Sequence, residues 1–222
     1  MSNPSAPCVF LIDDDHFILR SIERLLSARP YVVEPYSSAL QFLQTANLER
    51  HGCIILDISM PDMPGPALQE HLLRHRALLP IIFLTGNGDI ASGVRAMKLG
   101  ACDFLTKPVD ADVLLEAVDR ALMLNRQHID ESDMIRDIEA KLARLTRREQ
   151  QVLDLVVAGR LNKQIAAELG TVEHTIKLHR ASVMRKMEAN SVSELVTSVH
   201  TLRLLRPASR IVDSFDEDLG DL

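Results

Sequence analysis

The sequence predicts an α/β domain built as a doubly wound parallel sheet, followed by a small all-α domain of four helices. That expectation rests on three features of the chain. Between residues 8 and 126, five short and almost wholly apolar runs alternate with five segments of helical spacing. Strands buried on both faces read this way because helices cover both sides of their sheet. From Leu145 onward the apolar residues recur at helical spacing throughout. The charge also changes sign. Twelve basic against six acidic residues give +6 between 141 and 206, whereas 1–127, 128–140 and 207–222 each carry −4. A basic block inside a chain of net charge −6 marks a second domain with a polyanionic partner.

Val9-Phe-Leu-Ile12 reads as a buried strand running into Asp13-Asp14-Asp15. Residues 16–28 then place Phe17, Ile18, Ile22, Leu25 and Leu26 at helical spacing. Tyr31–Tyr36 is β-branched and aromatic in character, and Ser37-Ser38 follows as a helix N-cap signal. Cys53-Ile-Ile-Leu-Asp57 is a second apolar run ending in a carboxylate, and the turn-rich Met60–Gly65 leads to a helix near 66–77. Pro80–Thr85 is the next buried strand, followed by a loop at Gly86-Asn-Gly88 and a helix near 90–99. A short strand around Ala101–Leu105, the pair Lys107-Pro108 and a helix near 110–126 complete the domain.

Composition narrows the class. Charged residues at 25% and hydrophobic residues at 46% exclude a disordered or collagen-like chain. Tryptophan is absent and aromatics are 4%, so the cores must be built from aliphatic side chains. No apolar run approaches the roughly 18–20 residues that span a bilayer, and the N-terminus lacks the basic and apolar regions of a secretory signal. Cys8, Cys53 and Cys102 are odd in number and set among apolar residues, which suits reduced, buried thiols in a cytoplasmic, soluble protein.

Ligands of doubly wound sheets gather at the carboxyl ends of the strands. Those ends carry Asp13 and Asp14 after the first strand, Asp57 after the third, Thr85 after the fourth and Lys107 after the fifth. Three carboxylates converging on one edge would repel, which calls for a divalent cation, and oxygen ligands with room for phosphate oxygens favour Mg²⁺. A carboxylate beside such a cation can act as a nucleophile toward phosphorus and form an acyl phosphate. Lys107 and the Thr85 hydroxyl would neutralise and position the phosphoryl oxygens. A metal-dependent phosphatase would need a second acid two residues after Asp57, and that position is Ser59.

Leu11-Ile-Asp-Asp-Asp15, Ile55-Leu-Asp-Ile-Ser-Met-Pro61, Phe83-Leu-Thr-Gly86 and Phe104-Leu-Thr-Lys-Pro108 together resemble the receiver domain of bacterial two-component response regulators, over residues 8–126. The resemblance implies strand order 2-1-3-4-5, Asp57 as phosphoacceptor, and Asp13, Asp14, Asp57 and the Ser59 backbone carbonyl as Mg²⁺ ligands. It further implies a phosphoryl contact from Lys107 through a cis Lys-Pro peptide, and Thr85 with Phe104 as a switch pair.

Residues 127–141 form an expected helical linker, with Met134, Ile138, Leu142 and Leu145 on one face, either continuing the preceding helix or pairing with a second chain. In the block 142–205, Thr146 with Glu149 makes a capping box and Gly159 ends that helix. Asn162 is the expected cap of a short helix over Lys163–Leu169 that Gly170 stops, and helices near Glu173–Met187 and Ser191–Leu205 follow. The short helix, glycine turn and longer helix form a helix-turn-helix pattern. Ile176, Val183 and Met187 would pack inward, leaving His174, Lys177, Leu178, Ala181 and Arg185 on a basic outer face suited to a major groove. Lys163, Arg180 and Lys186 are candidates for phosphate contacts.

Leu145–Leu153, Asn162–Gly170 and Thr175-Ile-Lys-Leu-His-Arg180 with Met184-Arg-Lys-Met187 resemble the LuxR-type DNA-binding domain, which adds Thr175 to the DNA contacts. The two halves together resemble a NarL/FixJ-family response regulator, nearest the FixJ branch. That resemblance implies a transcription regulator rather than an enzyme, phosphorylated by a partner histidine kinase, dimerising when phosphorylated, binding double-stranded DNA, and with RNA polymerase as a further partner. It places Leu195, Val196 and Val199 at a DNA-bound dimer contact, although periodicity alone favours their covering the core. Two rival readings are a receiver fold serving as a phosphorylation-independent docking module and a phosphate sink that drains a relay.

Three departures from the family pattern stand out. Val172 occupies the position where a Ser commonly caps the recognition helix, with Thr171 as the nearest substitute. Pro64 and Pro66 stiffen the loop beyond Asp57, and the acidic tail 206–222 extends past the pattern.

Overall fold

The computed structural model describes residues 6–86 and 90–205, so Asn87, Gly88 and the acidic tail lie outside the described residues. These divide into two compact units, with the boundary between Ile129 and Asp130. The first unit alternates β1 (Cys8–Ile12), α1 (His16–Leu26), β2 (Val32–Tyr36), α2 (Ala39–Thr45), β3 (Gly52–Asp57), α3 (Gly65–Arg74), β4 (Ile81–Thr85), α4 (Ile90–Lys98) and β5 (Asp103–Thr106), and then enters α5 (Ala111–Ala143). The strands pair in parallel in the order β2-β1-β3-β4-β5, the expected order.

The side chains of the central strands divide between two cores because their period is two. Phe10, Ile12, Ile54, Leu56 and Phe83 meet Phe42 of α2, Leu68 and Leu72 of α3 and Ala96 of α4. Val9, Leu11, Cys53, Ile55, Ile82 and Leu84 meet Leu19, Ile22 and Leu26 of α1 and Leu114, Ala117, Val118 and Ala121 of α5 on the other face. Burial on both sides explains the unbroken apolar reading of β1, β3 and β4. β2 lies at the sheet edge and tolerates Pro35 there, while Glu34 is held by Arg50 at 2.5 Å and by the Tyr36 hydroxyl at 3.0 Å.

Cys8 and Cys53 are buried and Cys102 is half-buried, and none is in a disulfide. Burial, with Glu34 nearby, pushes the Cys8 thiol up to about 12, so it behaves as a small apolar group.

Ser38 caps α2 by accepting from the Gln41 N–H at 3.0 Å, and Asp15 caps α1 by accepting from the Phe17 N–H at 2.7 Å. The helix near 110–126 continues through the linker residues to Ala143, one of the two alternatives left open for 127–141. No glycine or proline interrupts residues 111–158, so nothing local ends it before the capping box at Thr146. Asn125 of α5 is fully buried and ties this helix to the sheet. Its Oδ1 accepts from Gly52 N–H at 2.9 Å and lies 2.7 Å from His51 Nδ1, and its Nδ2 donates to Leu78 O at 2.8 Å.

The second unit contains α6 (Arg147–Val157), α7 (Asn162–Glu168), α8 (Glu173–Lys186) and α9 (Val192–Leu205). Val152, Leu153, Val156, Ile165, Ile176, Val183, Met187, Leu195 and Val199 form its core, with Leu142 and Leu145 packed against it. Gly159 and Gly170 take positive φ (77° and 65°) after α6 and α7, as the stop signals require. Among the described residues no helix is long and apolar enough to cross a membrane.

Because the two units have separate cores, damage to one should leave the other folded. Phe42→Ala removes a fully buried ring from the first unit and is expected to destabilise that unit by about 3–5 kcal/mol. Denaturant titration followed by amide NMR should show early loss of the signals of residues 6–129 and an unchanged midpoint for α6–α9.

Candidate functional site

The first site forms where β1, β3 and β5 end. Asp13 follows β1 and is fully buried, Asp57 ends β3 at 5% exposure, and Thr85 ends β4 at 4%. Lys107 follows β5 and extends its ammonium across the edge, donating to Asp13 Oδ2 at 2.5 Å and to Asp57 Oδ1 at 2.6 Å. Its backbone N–H donates to Thr85 O at 2.7 Å and its peptide to Pro108 is cis, as the resemblance implied. The remaining carboxylate oxygens are taken by backbone. Asp13 Oδ1 accepts from the Asp15 N–H at 2.9 Å, and Asp57 Oδ2 accepts from the Ser59 N–H at 2.8 Å.

Burial raises the Asp13 pKa against the opposing effect of Lys107. For Lys107, burial favours the neutral amine, but its hydrogen bonds to Asp13 and Asp57 outweigh it and the pKa is raised. One protonated lysine therefore holds together two acids that would otherwise repel.

The expectation of three convergent carboxylates is met only in part. Lys107 brings Asp13 and Asp57 together, whereas Asp14 is exposed. Among the described residues no group of three His, Cys, Asp or Glu side chains is arranged to hold a metal ion. The physical reason is local: Asp15 turns its carboxylate back to cap α1, and Asp14 is left facing solvent at the start of that helix. The Thr85 hydroxyl is engaged locally, donating to Gly86 O at 2.9 Å. Phe104 is half-buried and packs against the core formed with α2, α3 and α4. Asp62, which the sequence did not single out, accepts from the Leu40 N–H at 3.0 Å and ties the loop after Asp57 to the start of α2.

The second site is the outer face of α8. His174, Lys177, Ala181 and Arg185 are exposed, Thr175 is half-buried, and Leu178 is 60% exposed although apolar. Lys163 is exposed on α7. Arg180 donates to Asn162 Oδ1 at 3.0 Å. Asn162 is thus the first residue of α7 and not its cap. The turn is closed by Gln164, which accepts from the Leu161 N–H at 2.8 Å. Val172 precedes α8 without a side-chain cap, and the Thr171 N–H donates to Ala166 O at 2.9 Å.

Lys186 was expected to project to a phosphate, but its ammonium turns inward and pairs with Glu149 at 2.7 Å. Glu149 is buried and accepts from Lys186, from Ser182 Oγ at 2.7 Å and from the Thr146 N–H at 2.7 Å, while Thr146 Oγ1 accepts from the Glu149 N–H. The capping box was legible from Thr146 and Glu149. The clamp onto α8 was missed, although Ser182 and Lys186 at i and i+4 share one face of that helix. Leu195 and Val199 are likewise not free for a dimer contact. Both lie in the core of their own unit, and only Val196 of the expected trio is half-exposed.

Comparisons with known proteins match both parts of the chain. Residues 9–119 match the response regulator receiver domain, and residues 143–199 match the bacterial regulatory proteins of the luxR family. The chain is 40% identical over 198 residues to the response regulator protein TodT of Pseudomonas putida, covering 89% of this chain and 87% of the relative. It is 39% identical over 191 residues to the transcriptional regulatory protein FixJ of Rhizobium meliloti, covering 85% and 92%. A low-resolution structure of the response regulator StyR superposes with a TM-score of 0.79 at 42% identity, covering 88% of this chain and 98% of that one. The chain therefore belongs to the NarL/FixJ family of two-component response regulators, with a receiver domain and a LuxR-type DNA-binding domain, and it regulates transcription.

The Glu149 clamp gives a pH signature. Hydrogen bonds from Lys186, Ser182 and Thr146 hold this carboxyl at about 2, against 4.5 for the ordinary group. A carboxyl depressed on folding stabilises the folded unit above its unfolded pKa and loses that contribution as pH falls toward the folded one. The stability gap between wild type and Glu149→Gln should be full above about pH 5 and close progressively toward about pH 2. A gap independent of pH, measured by denaturant titration of α6–α9, would contradict the clamp.

Proposed function

We propose that this regulator is switched by phosphorylation of Asp57, with a histidine kinase as donor, and that the switch controls dimerisation and DNA binding in the cytoplasm. The observation that carries the proposal is the bridging ammonium of Lys107, which keeps two buried carboxylates poised at one strand edge.

Asp57 offers Oδ1 as the nucleophile. Its bond to phosphorus forms as the bond from phosphorus to the donor's imidazole nitrogen breaks, and that nitrogen leaves as neutral imidazole once protonated. Lys107 then exchanges its contact with Asp57 Oδ1 for a phosphoryl oxygen while keeping Asp13. The Ser59 N–H, already aimed at the Asp57 carboxylate, is positioned to follow that oxygen. Thr85 would rotate its hydroxyl from Gly86 O toward the phosphoryl group, with Phe104 responding on the neighbouring strand.

The donor set fits Mg²⁺, which is commonly held by one or two carboxylates with water completing the shell. Asp13, Asp57 and the Ser59 carbonyl would be the protein ligands, and Asp14, exposed beside them, would act through water or by turning inward. When bound, the cation supplies charge neutralisation for the phosphoryl oxygens. Dimerisation through the face of α4, β5 and α5 would pair two DNA-binding units. Lys177, Leu178, Ala181, Arg185 and Thr175 of each would then lie nearest the bases, with Lys163 and Arg180 at phosphates. Val196 is the remaining candidate for an α9 contact between the paired units, and RNA polymerase is a further partner.

Intact mass after incubation with a small phosphodonor and Mg²⁺ tests the acceptor. The expected result is a gain of one phosphoryl group in wild type and none in Asp57→Asn. No gain in wild type, including with a histidine kinase, would leave a DNA-binding regulator whose receiver serves only as a docking module. The DNA contacts are tested by salt. Lys163→Ala should lower the slope of log affinity against log salt by about one per half-site without altering sequence preference, whereas Leu178→Ala should relax preference at one base pair and leave the slope unchanged.

A further inference from the structure

Gly93 sits inside α4, where glycine is the poorest helix former after proline. A Cβ added there would lie 2.5 Å from Cζ and 2.6 Å from Cε2 of the Phe104 ring, and 3.0 Å from Cε1. No real Cβ tolerates such distances, so the ring occupies the volume that any other residue at position 93 would fill. Phe104 is the register partner of Phe83 across β4 and β5, and it packs on the same core as Phe83 and Ala96.

The other end of α4 decides which partner would give way to a Cβ. Gln69 of α3 is buried, and its Nε2 donates to Ala96 O in the last turn of α4 at 3.1 Å and to Leu99 O just beyond it at 3.3 Å. Ala96 itself is fully buried. Lifting α4 off the sheet would break both of these hydrogen bonds and leave the Gln69 amide buried without a partner, a costly state. Gln69 Oε1 already has no hydrogen-bond partner, so the amide has nothing to fall back on. The aromatic ring, by contrast, is half-exposed and needs only a side-chain rotation to leave.

We propose that Gly93 is the seat of the Phe104 ring, a positioning residue that admits the inward ring and thereby sets the balance of the switch. The proposal rests on the reading of Phe104 as a switch residue given above. Gln69 is its counterpart, fixing α4 so that the space over Gly93 is read by the ring and not absorbed by the helix. Gly93→Ala is therefore expected to eject the ring while making α4 a better helix.

The test uses the full-length chain with 4-fluorophenylalanine at its six Phe positions, the Phe104 resonance being assigned by its loss in Phe104→Leu. In wild type the Phe104 fluorine is expected in a protected environment. In Gly93→Ala it should move to a solvent-exposed shift, while intact mass shows phosphoryl uptake from a small phosphodonor within twofold of wild type. Self-association of the phosphorylated protein, by sedimentation equilibrium, should weaken at least tenfold. In the Phe104→Leu background the same Gly93→Ala change should weaken it less than twofold, because the smaller side chain no longer fills the seat. A Phe104 resonance and a dimer constant unmoved by Gly93→Ala would overturn the proposal. Absence of phosphoryl uptake in wild type would instead sink the phosphorylation reading, and the fluorine shift would still decide the seat.

Discussion

Two buried carboxylates within reach of one ammonium set the electrostatics of the first unit. Asp13 and Asp57 lie too deep to be screened by water, and two unpaired anions there would be strongly destabilising. Lys107 answers with one charge for two acids. Removing one partner of such a buried arrangement typically costs about 3–5 kcal/mol, because the group left behind stays charged and unpaired. The interaction is therefore both strong and unbalanced, with a residual negative charge that favours a cation. On the proposed reading, that imbalance makes the site responsive. Any group that changes the charge on Asp57 must also redirect Lys107.

The fold makes this arrangement possible through strand order. β1 and β3 are neighbours, so residues after Ile12 and at the end of β3 arrive side by side. β5 lies two strands from β3, beyond β4, and a short basic side chain could not cross that distance. The four-carbon stem of lysine does so, guided by the backbone bond from Lys107 N–H to Thr85 O. On the proposed reading, Thr85 at the end of β4 and Phe104 on β5 give a change at Asp57 a short path toward α4. Gly93 and Gln69 extend that path into the helix.

In the second unit a different buried charge does the positioning. Glu149 begins as a capping residue of α6 and ends as an anchor for α8 through Ser182 and Lys186. The basic residues of α8 thus divide into two sets. Lys186 faces inward and orients the helix, while Lys177 and Arg185 remain on the exposed face. Arg180 is shared, since its bond to Asn162 links α8 to the start of α7. Sequence periodicity separated the faces of α8 correctly for Ile176 and Val183 but could not identify the inward turn of Lys186, because a long side chain leaves its face by rotamer choice. Leu195 and Val199 posed a related ambiguity: apolar residues on a terminal helix cover a core or a partner with the same spacing, and only burial distinguishes the two. The strand runs, the carboxylates at their ends and the Thr146–Glu149 box were legible because each has a fixed local pattern. The exposure of Asp14, the bond from Asp62 to Leu40 and the space over Gly93 were not, since they depend on contacts between residues distant in sequence or on the direction of one side chain.

The most direct test of the Lys107 bridge is heteronuclear NMR of its ammonium in the full-length chain. Before phosphorylation the ¹⁵Nζ signal should exchange slowly and show hydrogen-bond couplings to the carboxylate carbons of both Asp13 and Asp57. After addition of a small phosphodonor and Mg²⁺, the coupling to Asp13 should remain, and that to Asp57 should give way to a coupling with phosphorus. A rapidly exchanging ammonium, or one whose couplings do not change as the phosphoryl group arrives, would contradict the account.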